Sequence, residues 1–190
     1  MTYIGNLDYW DDKFKSRGDK ALSPDQSLVD NISMLKKGRV LDLACGDGRN
    51  SLYLASLSWI VTGLDFSLHA LERLNRFSAE YDYDIETRKV DLSKENAFEA
   101  LGSFDTIIIN HYKISPNLMM QVHEHLTDQG TLFVSGFSKD HPVDNKIKSN
   151  DLILEEDFES LVGMKLIHHE TFSDQRGHFV TFIYKKDKHE

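Results

Sequence analysis

The segment VLDLACGDGRNSLYLA, residues 40–55, constrains the fold of this chain more than any other. Residues 40–43 are a short apolar run with the character of a strand buried on both faces. Residues 50–57 have helical patterning, and Gly46 and Gly48 stand between the two. Glycine at a strand-to-helix turn lets the chain bend sharply and lets a ligand come close to main-chain atoms. The downstream sequence repeats the alternation. Residues 59–64 read as a second strand ending at Asp65. Ser67 then caps a helix carrying Leu68, Leu71, Leu74 and Phe77 at helical spacing. A weaker strand over 85–90 ends at Asp91, and 104–109 is a continuous apolar run. The spacing predicts a helix over 116–126, with Leu118, Met119, Val122 and Leu126 inward, and a strand over 131–137. Strands alternating with helices imply a parallel sheet with right-handed crossovers.

Both ends of the chain depart from that rhythm. Residues 138–154 read as a long loop, and 155–161 as a short helix. Strands at 165–171 and 178–185, joined by the turn-rich 172–177, form an antiparallel hairpin. Upstream, Ser23 is expected to cap a helix with Pro24 at its first position and Gln26 closing a capping box. Leu28, Ile32 and Leu35 share one face of it, and Lys36-Lys37-Gly38 marks its end. The 190 residues suit a single domain, and 40% apolar content suits a folded one. A lone cysteine, Cys45, excludes an internal disulfide framework, and it reads as a small buried residue. No apolar run is long enough to span a membrane, and the N-terminus has no signal-peptide core, so a cytoplasmic location is expected. A net charge of −9 argues against a nucleic-acid partner.

The acids at the strand ends indicate a nucleotide-type ligand. Asp65 follows Gly48 by 17 residues, where doubly wound folds place a ribose-binding acid, and Asp91 lies beyond it at the end of the next strand. A dinucleotide site wants a third glycine where this chain has Ser51. It also places pyrophosphate on the helix N-terminus, where Asp47 would repel it. S-adenosylmethionine has no phosphate and carries a sulfonium and an ammonium group. Asp42, Asp47, Asp65 and Asp91 along one sheet edge suit that cation better.

The pattern Asp42-x-Ala44-x-Gly46-x-Gly48, with Asp65, Asp91 and the terminal hairpin, resembles class I S-adenosylmethionine-dependent methyltransferases. More narrowly, CGDGRNSLYLA, the RKVDL stretch and the upstream YWDDKF resemble the tellurite-resistance methyltransferases and their thiopurine-methyltransferase-like relatives. The common motif has glycine at the position of Ala44. The resemblance implies an α/β, Rossmann-like, seven-stranded sheet, mostly parallel with a C-terminal antiparallel hairpin. It also implies a single methyltransferase domain over 38–190, with 1–37 as a helical lid. On this resemblance Asp42, Ala44, Gly46 and Gly48 line the methionine and sulfonium end of the donor. Asp65 holds the ribose, Phe66 lies beside the adenine, Asp91 and Leu92 contact the adenine, and Asn110 sits near the methyl group. Arg49 either reaches the donor carboxylate or is structural. Tyr9, Trp10 and Phe14 either pack simply or fold over the donor, with Trp10 touching it, and 138–150 roofs the acceptor.

The acceptor side is less marked. Methyl transfer from a sulfonium is an in-line displacement that needs positioning, and needs a base only when the acceptor holds a proton. After the fourth strand come Asn110-His111-Tyr112-Lys113, which is not the Asn/Asp-Pro-Pro-Tyr motif of amino-group methyltransferases. His111 is a candidate base and Tyr112 a candidate catalytic or wall residue. Arg176 and His178 are placed to meet an anionic acceptor, although the hairpin tip is shorter and less basic than in tellurite-type enzymes. No metal site is expected: His123 and His125 lie two apart on a helix, and His168 and His169 point to opposite sides of a strand. The expected activity is methyl transfer to a small thiol, selenol or metalloid oxyanion. A nicotinamide-dependent oxidoreductase and a non-catalytic donor-binding module are the alternatives.

Overall fold

The computed structural model describes residues 7–94 and 96–188. Seven strands, β1 (Arg39–Leu43), β2 (Ile60–Asp65), β3 (Ile85–Lys89), β4 (Phe104–Asn110), β5 (Leu126–Phe137), β6 (Met164–Asp174) and β7 (Gly177–Lys186), build one sheet. Their order is β3-β2-β1-β4-β5-β7-β6. The first five pair in parallel, while β7 runs antiparallel between β5 and β6. This is the expected mixed sheet. β1 and β4 lie at its centre, which explains their unbroken apolar runs: covered on both faces, they have no wet side to alternate toward.

Five helices, α1 (Leu7–Ser16), α2 (Gln26–Asn31), α3 (Arg49–Ser56), α4 (Leu68–Glu80) and α5 (Pro116–Glu124), accompany the sheet. Leu28, Leu54, Leu71, Leu74 and Phe77 pack with Val40, Val61 and Ile108 in one core cluster. Leu118, Met119 and Val122 pack with Leu41, Leu43, Ile107 and Ile109 in the other. Neighbouring residues of β4 thus serve opposite layers, each fully buried side chain stabilising the fold by about 1.5–3 kcal/mol. Ser67 caps α4 as expected, its hydroxyl accepting from the Ala70 N–H.

Several expectations shift. Asp25, not Ser23, caps α2, and its carboxylate accepts from the Ser27 N–H. The Asp25 carboxylate also accepts from the Ser27 hydroxyl at 2.8 Å, and the helix begins at Gln26, two residues later than Pro24 suggests. The helix is short and gives way to a 3-10 turn over Ile32–Met34. Between β3 and β4 the described residues form turns, not a helix, and these bury Leu92, Ala97 and Phe98. The segment expected to be a short helix at 155–161 is a 3-10 turn, Glu155–Phe158. The hairpin is longer than the turn-rich composition suggests, since pairing continues to Asp174 and Gly177 and leaves only Gln175 and Arg176 to turn the chain. The Asp174 carboxylate makes this tight turn possible by accepting from the Arg176 backbone N–H at 2.7 Å and from its guanidinium at 2.6 and 2.8 Å. Among the described residues, no helix is long and apolar enough to cross a membrane.

Candidate donor and acceptor site

The strand order reverses direction between β1 and β4, and ligands of open α/β sheets bind beyond the C-terminal strand ends at that point. Asp42 lies in β1, with Ala44, Gly46 and Gly48 in the turn after it. Asp65 ends β2 and Phe66 follows; Asp91 and Leu92 follow β3; Asn110 ends β4. These residues therefore share one edge of the sheet.

Two carboxylates dominate the floor. Asp42 is buried, and its partner is the Ser51 hydroxyl, donating at 2.6 Å. Burial, with the Asp65 charge adding to it, outweighs that hydrogen bond and pushes Asp42 up to about 7. Asp65 is also buried and accepts from the Gly46 N–H at 2.8 Å and the Ser67 N–H at 2.9 Å. Burial raises its pKa as well, against the restraint of those backbone donors. Ser51, at the place where a dinucleotide site needs glycine, is fully buried beneath this floor. Burial and the nearby Asp42 and Asp65 charges also push the Cys45 thiol up, so it stays protonated.

Asp47 has a different role from the one its position suggests. It pairs with Arg17 at 2.7 Å and Arg73 at 3.2 Å, so its charge is matched by the protein's own cations. That ion pair ties the end of α1 to α4. Phe14 of α1 lies over the glycine turn, and a Cβ at Gly46 would meet its ring at 2.9 Å. Trp10 stacks on Phe14 with ring centroids 5.9 Å apart, and Asp11 accepts from the Ser67 hydroxyl at 2.6 Å. Beneath α1, Phe66 lines a cleft of about 390 Å³ together with Asp11, His69 and Lys89. After α1, Leu28 and Leu35 lie inside the core, and residues 1–6 of the expected 1–37 lid lie outside the described residues.

Backbone geometry marks the same edge. Ala44 has φ +55°, a left-handed conformation that glycine adopts without cost, and His111 has φ +56°. Gly48 has φ +85° and lies so close to Leu74 that a side chain there would collide with it. Both polar atoms of the Asn110 side chain are buried without a hydrogen-bond partner among the described residues, and each such group costs about 1–3 kcal/mol unless a ligand satisfies it. Asp91, half-exposed, accepts from the Ser93 N–H and hydroxyl at 2.9 and 2.7 Å, which lowers its pKa. Leu92 is buried. Arg49 donates to the carbonyls of Ser23 at 2.8 Å and Pro24 at 3.0 Å and stands 3.6 Å from Asp25.

A second group of residues lies at the β4 and β5 ends. His111 Nε2 is 2.8 Å from an oxygen of Asp25, a residue 86 positions earlier. Phe137 and Phe179 flank the imidazole, with centroids 6.2 and 5.6 Å away. Asp25 is buried, and burial alone would raise its pKa. The His111 hydrogen bond and charge, the Ser27 hydroxyl and Arg49 overcome that and hold the carboxyl well below the usual range. Arg176 is 3.8 Å from Asp25, and its guanidinium is also held by Asp174. His178 donates its backbone N–H to His141 Nδ1 and has its own ring at 2.7 Å from the Ser173 hydroxyl. Tyr112 is half-buried. Burial, then Asp91 and Asp65, raise its phenol, so it is a protonated wall of the crevice. Asp25 was legible in the sequence only as part of a helix start. Its functional partner lies too far along the chain for local pattern to show it.

The family described as tellurite resistance protein TehB matches residues 2–143. The chain belongs to the TehB family. A relative named probable S-adenosyl-L-methionine-dependent methyltransferase TehB, from Haemophilus influenzae, is 30% identical over 146 residues, covering 73% of this chain and 48% of the relative. The chain spans about half the length of such curated TehB relatives. Phosphoethanolamine N-methyltransferase 1 of Triticum aestivum is 26% identical over 119 residues, covering 60% of this chain and 24% of that protein. The crystal structure of TehB from Haemophilus influenzae superimposes with a TM-score of 0.70 at 21% identity, covering 95% of this chain and 66% of that one. Magnesium protoporphyrin IX methyltransferase from Synechocystis, solved with bound S-adenosylmethionine, gives 0.66 at 18% identity, covering 85% and 79%. The fold of this TehB-family chain is that of the class I S-adenosylmethionine-dependent methyltransferases. Among its described residues, no group of three or more His, Cys, Asp or Glu is placed to hold a metal ion.

Proposed function

We propose that this TehB-family chain transfers the methyl group of S-adenosylmethionine to a small-molecule acceptor. One observation supports the reading above the others. Asp42 and Asp65, both buried, stand at the ends of adjacent strands around the Ala44–Gly48 turn, and among the described residues no cation is paired to either. Such a floor disfavours a pyrophosphate and favours a ligand that carries positive charge. The same argument, with Ser51 filling the position of a third glycine, counts against a nicotinamide dinucleotide. Asp47, whose charge is balanced by Arg17 and Arg73, plays no part in it.

The residues fit the donor in detail. Asp65 offers carboxylate oxygens for ribose hydroxyls, and Phe66 offers a face for the adenine. Asp91 and Leu92 lie farther along the same edge, and Asp42, Ala44 and Gly46 receive the methionine end. The unpartnered amide of Asn110 has both a donor and an acceptor to give. Trp10 and Phe14 on α1 exclude water from above, and Arg49 holds the 23–25 backbone beside the turn. A thiol, selenol or metalloid oxyanion is the acceptor class favoured here, with His111 and Tyr112 on the acceptor side. The test is transfer of labelled methyl from S-adenosylmethionine to a panel of small thiols, selenols, amines, phenols and tellurite. Labelled product from at least one member, abolished in Asp65→Ala, is expected. Absence of transfer to every member would reject the catalytic reading and leave a donor-binding module.

A further inference from the structure

We infer that His111 and Asp25 form a base couple for an acceptor that arrives protonated, and that this acceptor is a neutral thiol with an apolar body. The inference rests on the donor reading above. His111 directly follows Asn110 at the C-terminal end of β4, the strand beside β1, so its imidazole stands at the acceptor side of the crevice. The Asp25 carboxylate is 1% exposed and ionised, so it accepts from the ring. That fixes the tautomer with hydrogen on Nε2 and leaves the lone pair on Nδ1. The support behind the couple is extensive. Ser27 donates to the other Asp25 oxygen at 2.8 Å, Asn50 accepts the Asp25 N–H at 2.9 Å, and Arg49 and Arg176 stand at 3.6 and 3.8 Å. His111 is held in this position with a left-handed backbone, a strain found where a side chain must be aimed.

The chemistry of the couple selects the acceptor. A thiol is a far stronger acid than an alcohol, so its proton is the one an imidazole base can take. A metalloid oxyanion brings no proton at the attacking lone pair and would leave the couple idle. Phe137 and Phe179 flank the ring and give the acceptor an apolar surface to lie on. In the step, Nδ1 takes the S–H proton while the thiol sulfur's electron pair forms the bond to the methyl carbon. The bond from that carbon to the sulfonium breaks with its pair left on the donor sulfur. A methyl thioether, a neutral donor product and an imidazolium result, and the imidazolium returns one proton to water. Asp25 is a positioning residue: it touches the base and not the acceptor.

The test uses the full chain with benzyl mercaptan, a thiol at neutral pH, and 4-nitrobenzenethiol, already a thiolate there. His111→Asn, whose new residue tolerates a left-handed backbone, should lower the rate with benzyl mercaptan on the order of 100-fold and that with 4-nitrobenzenethiol far less. Asp25→Asn keeps a good helix cap and should move the acid limb of the benzyl mercaptan pH–rate profile. The charged groups around His111 are Asp25, which it contacts, and Arg49 and Arg176, which stand against Asp25. Nitrogen NMR of His111 should show hydrogen on Nε2 in the unsubstituted protein and loss of that preference in Asp25→Asn. Equal losses on both thiols, or no loss on benzyl mercaptan, would overturn the inference in favour of a structural pairing. Donor binding without transfer to either thiol would also overturn it. If S-adenosylhomocysteine does not bind, the donor reading falls and this inference with it.

Discussion

Asp42, proposed to meet the donor, carries a cost for the protein on its own. Its folded pKa of about 7 lies above the ordinary carboxyl value of 3.8, so the folded chain holds the proton to higher pH than the unfolded chain. The resulting stability is fully present below 3.8 and is lost as pH climbs from there through about 7. Asp42→Asn should therefore unfold later than the unsubstituted protein at pH 8, by roughly 1–3 kcal/mol in denaturant titrations, with little difference at pH 4. The same substitution should weaken donor binding at pH 8, because the charge that destabilises the empty site is the one a cationic ligand meets. A variant equally stable at pH 8 would show that Asp42 is ionised without cost. Gly48 is constrained for a different reason. With φ +85° and Leu74 against it, Gly48→Ala should cost about 2–4 kcal/mol in thermal or chemical unfolding.

At the scale of elements, α1 is the segment whose role the sequence described least completely. Its aromatic residues were visible, but nothing in the local pattern showed that Arg17, just beyond it, and Arg73 of α4 converge on Asp47. Ion pairs between residues 30 and 26 positions apart depend on the finished fold. The contacts that hold α1 in place include that cluster, Asp11 on the Ser67 hydroxyl and Phe14 on Gly46. Gly46→Ala adds a methyl where Phe14 sits and strains a φ of +56°. It should raise amide hydrogen exchange over residues 7–16 and cost about 1–2 kcal/mol of global stability. Unchanged exchange there would mean that Phe14 does not hold the helix down. Removing Asp47 leaves two arginines facing each other, so Asp47→Ala should release the same segment, as limited proteolysis near Arg17 would report. The hairpin and α2 illustrate a second limit of sequence reading. Turn-forming residues at 172–174 still pair because their partners on β7 are in register, and Asp25 is the cap because its carboxylate reaches the Ser27 N–H and hydroxyl while also meeting His111.

For the molecule as a whole, topology was the legible part. The apolar run of β1 with its glycine turn, and the strands that lead to Asp65, Asp91 and Asn110, make a parallel sheet and the edge that carries these residues readable from the sequence. These signals are local and periodic, so they survive in one dimension. The links that join distant parts of the chain were not legible: Asp25 to His111, Asp47 to its two arginines, and Arg49 to the 23–25 backbone. Each depends on which side chains the closed sheet brings together. The net charge of −9 gains a location from the structure, since two of the buried acids, Asp42 and Asp65, have no cation partner among the described residues. The measurement that tests the central claim most directly is paired calorimetric titration of the full chain with S-adenosylmethionine and with reduced nicotinamide dinucleotide at pH 8. Micromolar binding of the first, weakened at least tenfold in Asp65→Ala, and no heat from the second is the predicted result. Binding of the dinucleotide in preference to the methyl donor would contradict it.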